Sequence, residues 1–438
     1  MKHFTLEELA PLTLKQVEAR DLMSQEDSRQ ILLSGGSRSG KTTIICRTLV
    51  LRCLIAPGST HVIFREHFNH LKASIISQTM PDVLRLWFPY LKTKLNRTDW
   101  YLSIFLGDKE SRIYYGGLDD KIRTEKILGQ EHSSIYLNEC STISFSAYQL
   151  ALTRLAQSSG LILRMYLDCN PPLQSHWLYK VFLKHLDPTT NEKLRRPEIY
   201  KYLQMNPEDN KDNLPEDYIE FLKDQPKSYQ DRFYRGIFGS SVENALWPDG
   251  SIKSIPRPET DKEWQQIIQQ LKRIVIAVDP SGCGQNVECS NDQIGIVVCG
   301  LRNDGVALVL EDQTGYYSPA NWGSMVGQLY DKWQADVVLG EENFGGAMVK
   351  ETITNAYPEI NYKKITVTKG KHLRAEPQSG NYENGKVLHV GNYVDLEAEM
   401  SQFSTAGYLG EDSPNRVDAL VMCLSELLSK PKYDIGVF

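Results

Sequence analysis

Gln30-Ile31-Leu32-Leu33-Ser34-Gly35-Gly36-Ser37-Arg38-Ser39-Gly40-Lys41-Thr42 is the stretch from which the first half of the fold can be read. Residues 30–34 are an apolar run of strand length, and residues 35–42 fit the phosphate-loop pattern G-x-x-x-x-G-K-[ST], followed by residues of helical character. The glycines let backbone N–H groups converge on phosphate oxygens, and a helix N-terminus adds its partial positive charge. Lys41 is placed to neutralise the β- and γ-phosphates of ATP and Thr42 to hold Mg²⁺. Gly35, Ser37, Arg38, Ser39, Gly40, Lys41, Thr42 and Thr43 are the expected nucleotide-binding residues.

Working outward, apolar strands recur at HVIF, SIYLN and LILRMYLD, separated by helical segments. Such alternation argues for an α/β domain, a mostly parallel sheet with flanking helices, over residues 1–195. SIYLN ends at Asn138-Glu139, where the acidic motif of a nucleotide engine belongs. Glu139 is suited to orient or deprotonate the attacking water. Asn138 stands where an Asp usually ligates magnesium through its water shell, so weaker Mg²⁺ affinity and slower hydrolysis are expected. Gln16 reads either as a contact to the adenine edge or as an ordinary surface glutamine. Arg38 and Arg154 are each either an arginine finger or a surface charge. Asp168-Cys169-Asn170-Pro171 reads either as an element coupling phosphate state to movement or as a strand-end turn.

Residues 196–268 change character, being rich in Pro, Asn, Tyr and charge, and read as a linker or small subdomain with helical pieces around PEDYIEFLKDQPKSYQDRFYRG. From residue 269 to 438 the pattern restarts. Strands RIVIAVDP, DQIGIVVCGL and VALVLEDQ follow one another, then helix PANWGSMVGQLYDKWQ and strand ADVVLGEEN, the order expected of a ribonuclease-H-like domain. Asp279 and Glu341 each close an apolar strand, and Asp418 lies in a final helix between Val417 and Ala419. Carboxylates in apolar surroundings need a metal or partner, and three of them can hold two divalent ions ~4 Å apart to hydrolyse a phosphodiester. Oxygen ligands suit Mg²⁺ or Mn²⁺, not zinc. Asp292 is a fourth metal ligand or a turn cap. Lys363, Lys364, Lys369, Lys371 and Arg374 are a site for DNA phosphates or a solvated charged face.

At 438 residues the chain has room for two or three domains of about 100–200 residues. Its net charge of −6 excludes a globally basic DNA binder and leaves local basic patches to grip phosphate. Cysteines 46, 53, 140, 169, 283, 289, 299 and 423 form no CxxC pair and read as small core residues. No apolar run approaches the ~20 residues needed to cross a bilayer, and the N-terminus lacks the apolar core of a signal peptide, so a cytosolic protein is expected.

Taken in order, GGSRSGKT, YLNEC, DCNPP, AVDPSG, GEENFGGAMV, KGKHLRAEPQSGNYENGKVLHVG and SPNRVDALV resemble the large terminase subunits of tailed bacteriophages over most of the chain. The resemblance implies an N-terminal P-loop ATPase that translocates double-stranded DNA into a procapsid. It also implies a C-terminal ribonuclease-H-like nuclease that cuts concatemeric DNA, with Mg²⁺ as cofactor and Mn²⁺ able to substitute in the nuclease. Asp279, Glu341 and Asp418 match the family's nuclease acids. The motif's acid lies two positions before the Asn, which selects Glu341 over Glu342. Implied partners are a small terminase subunit, the portal protein and further copies of the chain in a ring, with no membrane, in the host cell cytoplasm. Two rivals are a helicase-like or resolvase-like repair enzyme, and an ATP-gated assembly component whose hydrolysis is crippled by Asn138.

Overall fold

Apolar strands flanked by turn residues build two large sheets, besides a short hairpin of Phe403–Ser404 with Gly407–Tyr408, in the computed structural model, which describes residues 10–118, 129–240, 242, 244–280, 293–341, 346–365, 370–410 and 413–429. The chain divides into two compact units, residues 1–240 and 241–438.

The first unit is built on β1 (Gln30–Ser34), β2 (Thr60–Arg65), β3 (Thr93–Asn96), β4 (Tyr101–Leu106), β5 (Lys109–Gly117), β6 (Ser134–Leu137), β7 (Arg164–Cys169) and β8 (Tyr200–Gln204), in the order β3-β4-β5-β2-β6-β7-β1-β8. The run from β5 to β8 is parallel, and β3 and β4 add an antiparallel edge. Every residue of β1 and β6 is buried, as expected of parallel strands covered on both faces. The helix α1 (Leu14–Ser24) precedes β1, and α2 (Lys41–Ile55) follows it with Ile44, Leu49 and Val50 in the core. Strands β3 to β5 had no counterpart in the expected pattern. β3 has only four residues, TKLN, and β5 opens on Lys109, Glu110, Ser111 and Arg112, so neither shows a plain apolar run.

The segment 196–268, expected as a linker or subdomain, is shared between the units. Tyr200–Gln204 pairs in parallel with Gln30–Ser34 as the last strand of the first sheet. Of YKYLQ only Leu203 is buried, so an edge strand exposed on its flank gives no apolar run to read. The expected helical pieces are present as α3 (Glu216–Lys223) and the turns from Lys227 to Tyr234.

The second unit contains β9 (Ser254–Ile255), β10 (Leu271–Asp279), β11 (Gly295–Arg302), β12 (Ala307–Asp312), β13 (Val337–Glu341), β14 (Tyr362–Ile365) and β15 (Val387–Val390), in the order β14-β13-β10-β11-β12-β15-β9. The strands β10, β11 and β12 are antiparallel neighbours, and β13, β14, β15 and β9 join in parallel. Alternation along β10 sends Ile274, Ile276 and Val278 to one face and Val275 and Ala277 to the other. The first face meets α4 (Pro319–Trp333) and α5 (Gly346–Ala356), and the second meets α6 (Lys371–Glu383) and α7 (Asn415–Leu428). The last helix was expected to show an apolar stripe, and Val417, Leu420, Val421 and Leu424 are indeed buried. So is every other residue from Asn415 to Leu424.

Cys46, Cys53, Cys140, Cys169, Cys299 and Cys423 are buried free thiols, and Cys283 and Cys289 lie outside the described residues. Among the described residues no helix is long and apolar enough to cross a membrane.

Candidate functional site

The phosphate loop leaves β1 at its carboxyl end and turns into α2 at Gly40, whose φ of 84° favours glycine. A methyl group on Gly35 would lie 1.9 Å from the Met205 carbonyl oxygen, so this position tolerates no side chain. The Lys41 ammonium is buried under the loop, donating to the carbonyls of Gly35 (3.1 Å) and Gly36 (2.7 Å) and to Ser39 Oγ (3.0 Å). Burial pulls its pKa down, and the neighbouring charges of Asp168 and then Glu139 oppose that pull. Ser39 is buried, Ser37, Thr42 and Thr43 are half-buried, and Arg38 is exposed with φ 58°.

The strand ends carry the remaining polar groups. Because β7 lies between β6 and β1, Asp168 stands between Asn138 and the loop. Asp168 is buried. Its Oδ2 accepts from Thr42 Oγ1 (2.6 Å), and its Oδ1 accepts from Asn138 Nδ2 (2.9 Å) and the Glu139 backbone N–H (3.0 Å). Glu139 has φ 51°, a left-handed conformation uncommon for a residue with a side chain, which here turns the chain out of the strand.

Gln16 is buried against the loop rather than lying on the surface. Its Oε1 accepts from the Thr13 N–H (3.1 Å) in a capping box, and its Nε2 reaches the Gly40 carbonyl (3.4 Å). Arg154 is placed elsewhere. Its carbonyl accepts from the His132 N–H just before β6 begins, whereas Glu139 follows the opposite end of that strand.

Three residues that sequence reasoning missed fasten the loop from outside. Asn206 Oδ1 accepts from the Gly36 N–H (3.1 Å), the Phe233 carbonyl from the Ser37 N–H (2.8 Å), and Asn210 Nδ2 donates to the Arg38 carbonyl (2.7 Å). All three belong to the segment that reads as a linker.

In the second unit, β10 and β13 run parallel with Val278 beside Gly340, which brings Asp279 and Glu341 together at adjacent strand ends. Asp418 arrives from the first turn of α7. That helix lies against β11 so closely that a methyl on Gly295 would meet the Asn415 carbonyl oxygen at 2.1 Å. Its start is held by Asn415 Nδ2 on the Gln293 carbonyl (2.9 Å), Arg416 on Asp312 (2.8 Å) and the Val417 N–H on Glu399 (2.8 Å). Asp279 and Asp418 are buried and Glu341 is half-buried. Burial first, then the charges of Asp418 and Glu341, push the Asp279 carboxyl up to about 8, while Lys371 and Arg374 oppose the shift.

The cations are part of this cluster. Lys371 Nζ lies 2.5 Å from Asp418 Oδ2, and Arg374 spans Glu341 Oε2 (3.5 Å) and Asp418 Oδ1 (3.4 Å). Lys363 pairs with Glu426 (2.7 Å). Three of the five residues expected to face DNA phosphate therefore face carboxylates, and Lys369 lies outside the described residues, as does Asp292. Among the described residues no three His, Cys, Asp or Glu side chains are gathered tightly enough to hold one metal ion. The donor set of Asp279, Glu341 and Asp418 still fits a hard divalent cation, because it is made of carboxylate oxygens whose crowded negative charge a cation relieves.

Residues 32–253 match the family model of the N-terminal part of the T4-like-virus-type large terminase subunit, and residues 276–427 match that of the terminase RNaseH-like domain. The chain belongs to the large terminase family. As a large terminase it has an ATPase domain and a nuclease domain, binds DNA, and packages and cuts it. The first unit corresponds to the expected mostly parallel ATPase and the second to the expected ribonuclease-H-like nuclease. Solved structures similar to it include the large terminase of a thermophilic bacteriophage, at 15% identity over 96% of this chain and 100% of that chain, with a TM-score of 0.46. Another is the bacteriophage HK97 large terminase, at 10% identity over 95% of each chain and a TM-score of 0.40. A third is the large terminase nuclease of thermophilic phage G20c, at 15% identity over 42% of this chain and 99% of that chain, with a TM-score of 0.30. No curated protein matches the chain.

Proposed function

We propose that this large terminase hydrolyses ATP at Lys41, Thr42 and Glu139, and cuts double-stranded DNA at Asp279, Glu341 and Asp418. The observation that carries the second half is the convergence of two strand-end acids and a helix acid, all from distant parts of the sequence, around Arg374. Mg²⁺ is the proposed ion at both sites, with Mn²⁺ substituting in the nuclease.

In the ATPase, backbone N–H groups at the start of α2 receive the phosphates. Lys41 exchanges its loop carbonyls for phosphate oxygens, so its charge moves little on binding. Glu139, presented by its left-handed turn, orients the attacking water and takes its proton. Gln16 closes over Gly40 on the side proposed to meet the adenine edge. Arg38, exposed on the loop, is the proposed finger for γ-phosphate charge. In the nuclease, Asp279, Glu341 and Asp418 would hold divalent ions, which would supply an activated water and charge stabilisation for the leaving oxygen. Lys371 and Arg374 stand ready to release the acids and meet phosphate. Asp292 is retained as a proposed fourth ligand.

On this reading the ATPase takes residues 1–240 and the nuclease most of 241–438, and the former linker is divided between them. The proposed partners are a small terminase subunit, the portal protein and further copies of the chain in a ring, acting in the host cell cytoplasm. DNA-stimulated ATPase that disappears in Lys41→Ala, together with plasmid cleavage in Mn²⁺ that disappears in Asp418→Ala, is the expected result. ATP turnover that survives Lys41→Ala, or cleavage that survives Asp418→Ala, would overturn the corresponding assignment.

A further inference from the structure

Position 138 is neutral where a nucleotide engine ordinarily carries its magnesium-holding acid, and the neighbouring strand holds an acid the motif does not require. Asp168 is 1% exposed, and a carboxylate so buried must be compensated. Three donors aim at it. Thr42 Oγ1 meets one oxygen at 2.6 Å, while Asn138 Nδ2 (2.9 Å) and the Glu139 N–H (3.0 Å) meet the other. The Thr42 hydroxyl spends its proton on Asp168, which leaves its oxygen lone pairs free for a cation. Lys41 also feels the charge of Asp168 ahead of that of Glu139.

Asn138 is fixed in a donor role at this contact. Its Nδ2 is also near Tyr136 Oη (3.1 Å), and its Oδ1 accepts from Arg65 Nη1 (3.3 Å). An aspartate at 138 would turn an acceptor toward an acceptor and set two buried carboxylates against each other, a pairing that ordinarily forces one of them to take a proton. The two positions thus share a single negative charge, and β7 lies next to the phosphate-loop strand whereas β6 does not.

We propose that Asp168 is the positioning residue that supplies, through Thr42, the carboxylate charge for nucleotide-bound magnesium, and that Asn138 is neutral so that this charge can sit on β7. The proposal rests on the ATPase reading of the phosphate loop. It replaces the expectation that Asn138 simply weakens the magnesium site.

The test is binding of a fluorescent ADP to the full chain, in EDTA and as Mg²⁺ is raised. Asp168→Asn is expected to raise the Mg²⁺ concentration for half-maximal binding about tenfold or more, the usual cost of losing an outer-shell partner. A circular dichroism spectrum matching that of the wild type reports that the variant is folded. The exchange variant N138D/D168N, which keeps the amide–carboxylate contact between the two positions and moves the charge to β6 at the cost of the Glu139 N–H contact, should recover a requirement within about threefold of wild type, and it carries the test if D168N alone does not fold. An unchanged Mg²⁺ requirement in D168N, or Asn138→Asp alone lowering that requirement, would overturn the proposal. Wild-type protein that binds ADP in neither buffer would overturn the nucleotide site, and the proposal with it.

Discussion

Lys371 and Asp418 form an ion pair at 2.5 Å in which the carboxylate is buried and the ammonium is half-exposed. The lysine also donates to Ser413 Oγ at 2.8 Å, which anchors it over the start of α7. A fixed ammonium at this place neutralises the acid cluster and competes with a divalent cation for the same oxygens. Lys371→Met should therefore strengthen Mn²⁺ binding by about threefold to tenfold, on the scale of one charge interaction at a partly solvated site. Calorimetric titration of the full chain with Mn²⁺ measures this, and equal or weaker binding by the variant would show that the pair is only structural.

The three acids differ in what they contribute, and amide substitutions separate them. Asp279→Asn and Asp418→Asn remove buried charge without changing shape, and each should reduce plasmid cleavage in Mn²⁺ by roughly 10² or more while leaving DNA-stimulated ATPase in place. Glu341→Gln should do the same with less effect on stability, because Glu341 is only half-buried. Asp279→Asn should raise the thermal midpoint, since it removes a carboxyl that burial and like charge make unfavourable. A midpoint that fell in Asp279→Asn would contradict the crowding described for this site.

The features legible in the sequence are those whose signal is local. The phosphate loop lies within eight consecutive residues, and Asp279 and Glu341 each end an apolar strand that announces them. Asp418 was legible because a charge sat between Val417 and Ala419 on the apolar stretch of the last helix. What escaped was set by pairing between distant polar residues. Asn206 reaches Gly36 across 170 positions, and nothing near Asn206 marks it as a loop fastener. Asp168 was visible as a strand-end acid, but its partners Thr42 and Asn138 depend on β7 lying between β6 and β1, an order that alternation of strands and helices does not fix. Lys371 and Arg374 were visible as charges, while their direction, toward carboxylates, required the fold.

The fastening of the phosphate loop by the former linker has a measurable consequence. Asn206→Ala leaves the Gly36 N–H without its side-chain acceptor, at a cost of about 1–3 kcal/mol. Gly35→Ala is harsher, because its methyl would fall 1.9 Å from a backbone oxygen and the strand pair β1–β8 would have to move. ADP binding should weaken about fivefold to a hundredfold in Asn206→Ala, the same free energy expressed as affinity, and vanish in Gly35→Ala. The same substitution at Gly107, where a side chain meets nothing within 4 Å, should leave binding intact. Normal ADP binding by Gly35→Ala would show that the loop does not need the close approach of residue 205.

Acid should loosen the first unit once pH falls below the ordinary histidine pKa of about 6.5, and His61 gives the reason. Its ring is fully buried in β2, with Nε2 2.9 Å from Ser59 Oγ, and burial followed by the charges of Arg52 and His132 holds its pKa well below the usual 6.5. In the unfolded chain the ring takes a proton near pH 6.5, whereas in the folded unit it stays neutral. The unfolded state therefore binds more protons below that pH, and the stabilising difference, fully present above about 6.5, is lost as pH falls. The slope for one such group approaches about 1.4 kcal/mol per pH unit. Denaturant unfolding of the full chain between about pH 7.5 and 5.0, a range that brackets the ordinary histidine pKa, should show the first fluorescence transition moving to lower denaturant as pH falls. His61→Gln, which keeps a polar group near Ser59 without a titrating ring, should flatten that dependence. An equally steep decline in His61→Gln would place the acid sensitivity in other groups.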